Sequence, residues 1–343
     1  MTLKTDQKAA TVQDVARHAN VSTATVSRTL SAPDSVSAKK RQAVLDAIEA
    51  TGYRVNRAAR SLRTQRSNNI LVLLPNLGNP FFSLVLQGIV DVLTPAGQSL
   101  VVAETRQIYS AGDDLFSYYR AQRADGMIVL DGGVPAESLN RFLASEPDAN
   151  IVFACEWTNV DGFPSVRSSN EDGAILAIQH LYDAGHRNII QITGPKDNVL
   201  THARIAGHET ACKKLGLEPH YIEGDFSLDA GLQAAKQIKA MTDKPTAIFC
   251  ASDVIAFGLI SGLARCGIRV PEDISVIGFD DLEFSEHFVP PLTTIRQDRV
   301  ALGATAAQVL LRGGPSKADL VEMIPVSLIE RSSTQRAKTK IPV

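Results

Sequence analysis

The stretch Thr11-Val-Gln-Asp-Val-Ala-Arg-His-Ala-Asn-Val-Ser-Thr-Ala-Thr-Val-Ser-Arg28 decides how this chain is read. Thr11 followed by Asp14 has the hydroxyl-x-x-acid form of a helix N-terminus, so a helix is expected to start at once. Asn20-Val21 interrupts it, and Ser22 can cap a second helix running to about Leu30. From Ser37 a third segment places Val44, Leu45 and Ile48 on one face and stops at Gly52. Val12, Val15, Ala16, Val21, Val26, Leu30, Val44, Leu45 and Ile48 form the expected small core. Two short helices around a tight turn, the second rich in small polar residues, make a helix-turn-helix pattern. Such a second helix fits a DNA major groove because its exposed face carries nothing bulky.

Charge is distributed to match. Residues 1–66 hold 12 Lys and Arg against five acids, a net +7, while residues 67–343 carry −9 within a whole-chain charge of −2. A small basic head on an acidic body directs a polyanion to the head alone. With 343 residues, 44% hydrophobic and 21% charged, the composition is that of an ordinary globular protein. At roughly 150 residues per domain, two or three domains are expected. No apolar run approaches the roughly 18 residues of a membrane span. Residues 1–8 lack the apolar segment of a secretion signal. Cys155, Cys212, Cys250 and Cys266 never fall at Cys-x-x-Cys spacing, so reduced thiols in a cytoplasmic protein are expected, with no metal and no cofactor.

The opening stretch resembles the DNA-binding head of the lactose-repressor/galactose-repressor (LacI/GalR) family. The likeness continues through Val36-Ser37, Gly52-Tyr53 and Asn56-Arg-Ala-Ala-Arg-Ser-Leu62, and by its run of phrases it is nearest in look to the cytidine-repressor branch. The resemblance implies roles. Thr23, Ala24 and Arg28 match positions facing base edges. An arginine there can pair bidentately with guanine O6/N7, and the two methyl groups can touch thymine. Ser22, Thr25, Ser27 and Asn56 would hold phosphates and set register. Thr11, Arg57, Ala59 and Leu62 complete the DNA-binding set. The bland alternative for each is a solvated helix face. Residues 56–62 are a hinge-helix candidate, with Asn56 as cap and Ala58, Ala59 and Leu62 on one apolar face. Seven residues are too few for a stable isolated helix, so this one is expected to fold when paired with its twin on DNA. The family likeness implies that Leu62 wedges into the minor groove.

From Asn69 onward, short β-branched runs alternate with helical stretches. Strands are expected over 70–75, 99–103, 126–130, 151–155, 189–193, 247–251, 274–279 and 323–329. Helices are expected over 81–93, 113–122, 172–184, 204–215, 230–241 and 253–266. This alternation implies parallel sheets in two stacked lobes, with a ligand at the carboxyl ends of the strands. The resemblance spans residues 11–334, through Asn79-Pro-Phe-Phe82, Arg204-Ile-Ala-Gly207, Cys250-Ala-Ser-Asp253, Gly278-Phe-Asp-Asp281 and Glu330-Arg-Ser-Ser-Thr334. The fold class it implies is an α-helical helix-turn-helix head plus an α/β two-lobed periplasmic-binding-protein-like effector domain. The expected divisions are 1–55 for the head, 56–68 for hinge helix and linker, 69–335 for the effector-binding and dimerisation domain, and 336–343 for a disordered tail.

A polyhydroxylated ligand, sugar or nucleoside, needs a fork of donors, a carboxylate accepting vicinal hydroxyl protons, and an aromatic face. Matched to the family pattern, Arg204 and Asp280 clamp hydroxyls, and Phe81, Phe82 and Phe226 supply stacking. Glu156 and Ser252 are second-rank polar contacts, and Gln297 sits at a later crossover. Loss of Arg204 is expected to delete ligand bonds while leaving the lobes folded. The alternatives are that Phe82 and Phe226 belong to the core, that Arg204 pairs with a structural carboxylate, and that Asp280-Asp281 caps a turn. Leu130, Ser168, Asn198 and Leu200, at rim positions, depart from better-understood pockets, so ligand specificity does not transfer.

Enzyme readings find no support in the motifs. Gly-x-Gly-x-x-Gly, Gly-x-x-x-x-Gly-Lys-Ser/Thr and Gly-x-Ser-x-Gly are all absent, and His208-Glu209 lacks a second histidine for zinc. A solute-binding protein would account for two lobes but not for the basic head. The expected function is a non-enzymatic, ligand-responsive repressor, homodimeric on a palindromic operator and without membrane contact. The tail carries no leucine heptads for a tetramer.

Overall fold

The computed structural model describes residues 10–53, 66–111, 115–121, 123–313 and 320–338. Asn56, Arg57, Ala59 and Leu62, with the hinge helix expected around them, lie outside the described residues. The chain divides into two compact units, residues 1–66 and 67–343.

In the first unit, α1 (Val12–His18) starts at a reciprocal cap: Thr11 Oγ1 accepts from the Asp14 N–H, and Asp14 Oδ2 accepts from the Thr11 N–H. Ser22 caps α2 (Thr23–Ser31) through the Thr25 N–H at 3.2 Å, and Asn20 makes the turn between them at φ 50°. Then α3 (Ala38–Thr51) ends at Gly52, whose φ of 62° suits a residue without Cβ. Val15, Ala16, Val26, Val44 and Ala47 are the buried core, with Val12, Ala19, Val21, Ile48 and Tyr53 packed around it. Leu30 and Leu45, expected inside, are 37% and 46% exposed. Thr29 takes the inward position on α2 and satisfies its hydroxyl on the Thr25 carbonyl at 2.9 Å. A core of this size has room for only one side chain per turn of α2.

The second unit holds two sheets. The chain first lays down β1 (Asn69–Leu74), β2 (Ser99–Glu104), β3 (Gly126–Val129), β4 (Ile151–Ala154) and β5 (Ser165–Ser168). Next come β6 (Ile189–Ile192), β7 (His220–Ile222), β8 (Ala247–Cys250), β9 (Ser275–Asp280) and β10 (Thr293–Gln297). Last are β11 (Val321–Ile324) and β12 (Val326–Ile329). The first sheet runs β11-β5-β4-β3-β1-β2 and the second β12-β10-β9-β8-β6-β7. Every pairing is parallel except β10 with β12. Apolar runs such as Ile70–Leu74 and Ala247–Cys250 are buried throughout because helices cover both faces.

Among the described residues, ten helices follow the three of the head. They are α4 (Phe81–Leu93), α5 (Thr105–Ala111), α6 (Ser117–Arg120), α7 (Ala136–Ser145) and α8 (Asn170–Asp183), then α9 (Val199–Leu215), α10 (Leu228–Ala240), α11 (Asp253–Arg265), α12 (Glu283–His287) and α13 (Arg299–Arg312). α13 packs on α4 and against β3–β5 of the first lobe, whereas α8 packs on β10 and β12 of the second. The α4–α13 approach depends on two glycines: a Cβ on Gly88 would lie 2.1 Å from the Val300 carbonyl oxygen, and one on Gly303 2.0 Å from that of Val85.

The chain therefore changes lobes three times, at Ser169, Asp298 and Pro325. The single strand expected over 323–329 is in fact two, shared between the sheets, with Pro325 interrupting the ladder where it lacks an N–H. Strands β5, β7 and β10 and helices α7, α12 and α13 go beyond the sequence reading. Within the helix expected over 113–122, the described residues hold the one-turn α6, and α5 precedes that span; residues 113, 114 and 122 lie outside the described residues. Ala337, assigned to a disordered tail, donates its N–H to the Ala184 carbonyl at 2.8 Å, and Lys338 lies 3.8 Å from Asp273.

Candidate functional site

On the head, Thr23, Ala24 and Arg28 are exposed on one side of α2, opposite the buried Val26 and Thr29. Among the described residues no carboxylate pairs with Arg28, whereas Arg17 pairs with Asp14 and Arg41 with Asp34. Ser22 and Thr25 share a hydrogen bond of 2.9 Å at the start of α2, where helix N–H groups favour an anion. Ser27 is half-buried. Thr11 is exposed, and its hydroxyl donates to Asp14 at 2.7 Å, so it fixes α1 first.

In the body, the parallel strands deliver side chains to one crevice. Phe81 and Phe82 open α4 after β1, Cys155 and Glu156 follow β4, and Arg204 comes from α9 after β6. Phe226 follows β7, Ser252 follows β8, Asp280 ends β9 and Gln297 ends β10. These nine, with Asn79, Leu200 and Val254, line one cavity. Its volume is about 410 Å³, the open mouth included. The structure thus brings together all eight residues that the sequence reading placed in the cleft.

The backbone is strained on both sides of that crevice. Cys155, Asp280 and Asp281 have φ of 65°, 124° and 54°, a region costly for residues with a Cβ. Asp281 is held by Arg296 at 2.6 Å and Arg331 at 2.7 Å, which keeps the neighbouring Asp280 turned inward. Strained residues of this kind cluster at ligand sites and persist only where surrounding contacts hold them.

Arg204 is 1% exposed and already has partners within the second lobe. Its Nε donates to Asn170 Oδ1 at 3.0 Å, its Nη1 to the Ala251 carbonyl, and its Nη2 lies 3.9 Å from Asp280. The guanidinium stacks on Phe279 at 3.8 Å and stands 5.8 Å from Phe226. Burial pulls its pKa down to about 10, while Asp280, Glu156 and Asp253 hold it up. Burial raises the Asp280 carboxyl against the attraction of Arg204 and a bond from Gln297 Nε2 at 2.7 Å. Phe81 and Phe82 serve the core as well as the cavity: they are 7% and 5% exposed and pack edge to face. The Ser252 hydroxyl caps α11 by accepting from the Ile255 N–H at 3.2 Å. Of the rim residues, Leu200 lines the cavity, Asn198 bonds Glu156, Leu130 is core, and the buried Ser168 hydroxyl has no partner.

In the first lobe, the Glu156 carboxyl is raised toward neutrality. Burial pushes it up to about 7, against bonds from the Gly132 N–H at 2.9 Å and from Asn198. A carboxyl raised above its ordinary 4.5 favours the folded state fully below about pH 4.5, and that advantage is lost as pH climbs through about 7. Glutamine cannot ionise and keeps the acceptor for Gly132. Glu156→Gln should therefore match wild type near pH 4.5 and exceed it by about 3 kcal/mol at pH 8. Urea denaturation at the two pH values checks this, and equal stability at pH 8 would contradict it.

A helix-turn-helix unit joined to a two-lobed α/β body with a strand-end cleft defines a class of DNA-binding regulators with a ligand-binding body. Residues 11–56 match the bacterial regulatory proteins of the lacI family, and residues 178–334 match the periplasmic binding protein-like domain. The HTH-type transcriptional repressor CytR of Escherichia coli K12 is 36% identical over 91% of this chain and 92% of its own. The crystal structure of the lac repressor dimer bound to operator and the anti-inducer ONPF superposes with a TM-score of 0.84 at 32% identity, covering 96% of this chain and all of that one. A ribose-bound LacI family regulator from Enterococcus faecium gives a TM-score of 0.72 at 28% identity, over 79% of this chain and all of its own. The chain belongs to the lacI family of transcriptional regulators. Among the described residues no helix is long and apolar enough to cross a membrane.

The sequence reading did not name Asn79, Cys155 or Val254 as cavity residues, nor Asn170 as a partner of Arg204. Position alone was the signal for the first three: Cys155 directly follows β4, Asn79 lies between β1 and α4, and Val254 is in the first turn of α11. Asn170 carried none, because its neighbour Arg204 is 34 residues away in sequence.

Proposed function

We propose that the chain is a cytoplasmic, homodimeric repressor whose affinity for a palindromic operator is set by a sugar or nucleoside held between the lobes. The observation that carries this reading is the cleft itself, where a forked donor, a carboxylate and an aromatic ring meet at strand ends in Arg204, Asp280 and Phe226. Those are the three functions a vicinal diol requires. The operator-bound dimer and the ribose-bound relative support it by analogy. At about 410 Å³ the cavity lies within the roughly 300–1,000 Å³ of known ligand pockets. Residues 1–55 read DNA, 56–68 form hinge and linker, and 69–335 bind effector and partner. Thr23, Ala24 and Arg28 read bases, Ser22, Thr25, Ser27 and Asn56 hold phosphate, Leu62 enters the minor groove, and Thr11, Arg57 and Ala59 complete the DNA-binding set.

The test is an operator titration with the full chain, with and without ribose or cytidine. Arg28→Ala should cost about 1–3 kcal/mol and relax one base pair in each half-site. An unchanged base preference in that variant would remove α2 from the groove.

A further inference from the structure

Ser168 ends β5 in the first lobe and Asn170 opens α8 in the second, so the chain changes lobes across one residue. The Asn170 amide, 3% exposed, is used at both ends. Its Nδ2 donates back to the Ser168 carbonyl at 2.9 Å, and its Oδ1 accepts from Arg204 Nε at 3.0 Å. Arg204 then reaches Asp280 at 3.9 Å, and Asp280 accepts from Gln297, the last residue of β10 before the second crossing, at 2.7 Å. The third crossing joins the same frame, since the Ser169 N–H donates to the Ile324 carbonyl at 3.0 Å, directly before Pro325. One buried polar chain runs from crossing to crossing through the guanidinium that lines the cleft.

We propose that Asn170 is a positioning residue that couples occupancy of the cleft to the geometry of the interlobe crossings. A ligand oxygen that draws Arg204 or Asp280 into the cleft pulls on the Asn170 carbonyl oxygen. The other end of the same rigid planar amide holds Ser168 at the lobe boundary. An amide is the group that fits, because it accepts and donates at fixed separation. A carboxylate would accept from Arg204 but has nothing to give Ser168. This deepens the effector-cleft reading and rests on it for the identity of the stimulus, while the coupling itself is testable without ligand.

The experiment is amide hydrogen exchange on the full chain, read at Ser169, with Ile248 of the central strand β8 as the reference for global opening. Asn170→Ala and Arg204→Ala should each speed Ser169 exchange relative to Ile248 by about tenfold, the size of one contact in a buried network. The double variant should be no faster than the faster single. Asn170→Asp, which keeps the acceptor and the volume but loses the donor, should behave as Asn170→Ala. In the wild type, ribose or cytidine should alter Ser169 exchange, and in Asn170→Asp binding should persist without that change. Unchanged Ser169 exchange in both Asn170 variants, or additive acceleration in the double, overturns the coupling. A wild type that binds neither probe, scored by thermal shift, overturns the effector choice instead, and the ligand-free exchange rates still decide the role of Asn170.

Discussion

Replacing Arg204 by alanine is expected to destabilise the body by about 3–5 kcal/mol and to abolish the effector response. The reason is what the side chain leaves behind. Asp280 is 6% exposed and Asn170 3%, so each loses a partner at a buried position when the guanidinium goes. A buried carboxylate stripped of its cation is the costly case, and here the Ala251 carbonyl loses its donor as well. Lobes indifferent to this loss are what a side chain waiting in solvent for a ligand would give. Burial of Arg204 among second-lobe partners gives it a structural duty alongside any ligand duty. Urea denaturation of the variant checks the first half and an operator titration with effector the second. Stability within 1 kcal/mol of wild type would deny the structural duty, and a response at wild-type effector concentration would deny the ligand duty.

Asp253→Ala should cost at least about 3 kcal/mol, although the residue is absent from the cavity lining. Its carboxylate is fully buried and accepts from the Leu282 N–H at 2.8 Å, Ser285 Oγ at 2.6 Å and Thr294 Oγ1 at 2.5 Å. Alanine orphans all three donors. Burial and the nearby Asp280 raise the Asp253 carboxyl, and the three donors oppose them. A Cβ on Gly278 would lie 2.2 Å from Asp253 Oδ1, so the β9 backbone is shaped around this carboxylate. These bonds pin the segment after Asp280, and effector affinity should fall together with stability. A folded variant with wild-type denaturation midpoint and wild-type effector affinity would show the anchor to be dispensable.

Much of this was legible in the residues. Local signals carried the head: the Thr11–Asp14 cap, Ser22 and Gly52 each fix a helix end by chemistry within a few positions. Strand–helix alternation gave the parallel lobes, and the match to the family pattern picked out eight residues that line one cavity. Failures came where tertiary contacts overrule local pattern. Leu30 sits one position past the one that α2 turns inward. Strand β10, Thr-Thr-Ile-Arg-Gln, looks polar because Thr293 and Thr294 satisfy their hydroxyls on Thr334 and Asp253, partners 41 residues away. The break at Pro325 was readable as a missing donor, but its destination in the other sheet was not. The dual use of Asn170 depends on distances no spacing rule encodes.

The three crossings also govern how the body can be made. Neither lobe is a continuous piece of chain: the first sheet is completed only by β11 and the second only by β12, both beyond residue 320. During synthesis the α4 surface waits, apolar and uncovered, until α13 emerges more than 200 residues later. Such long-range closure is slow and leaves sticky surface exposed in the interval. A messenger truncated near residue 298 would yield no finished half, only two open sheets for proteases and chaperones to clear. Neither lobe can therefore be completed before the chain beyond residue 320 has been made, and the two are finished together.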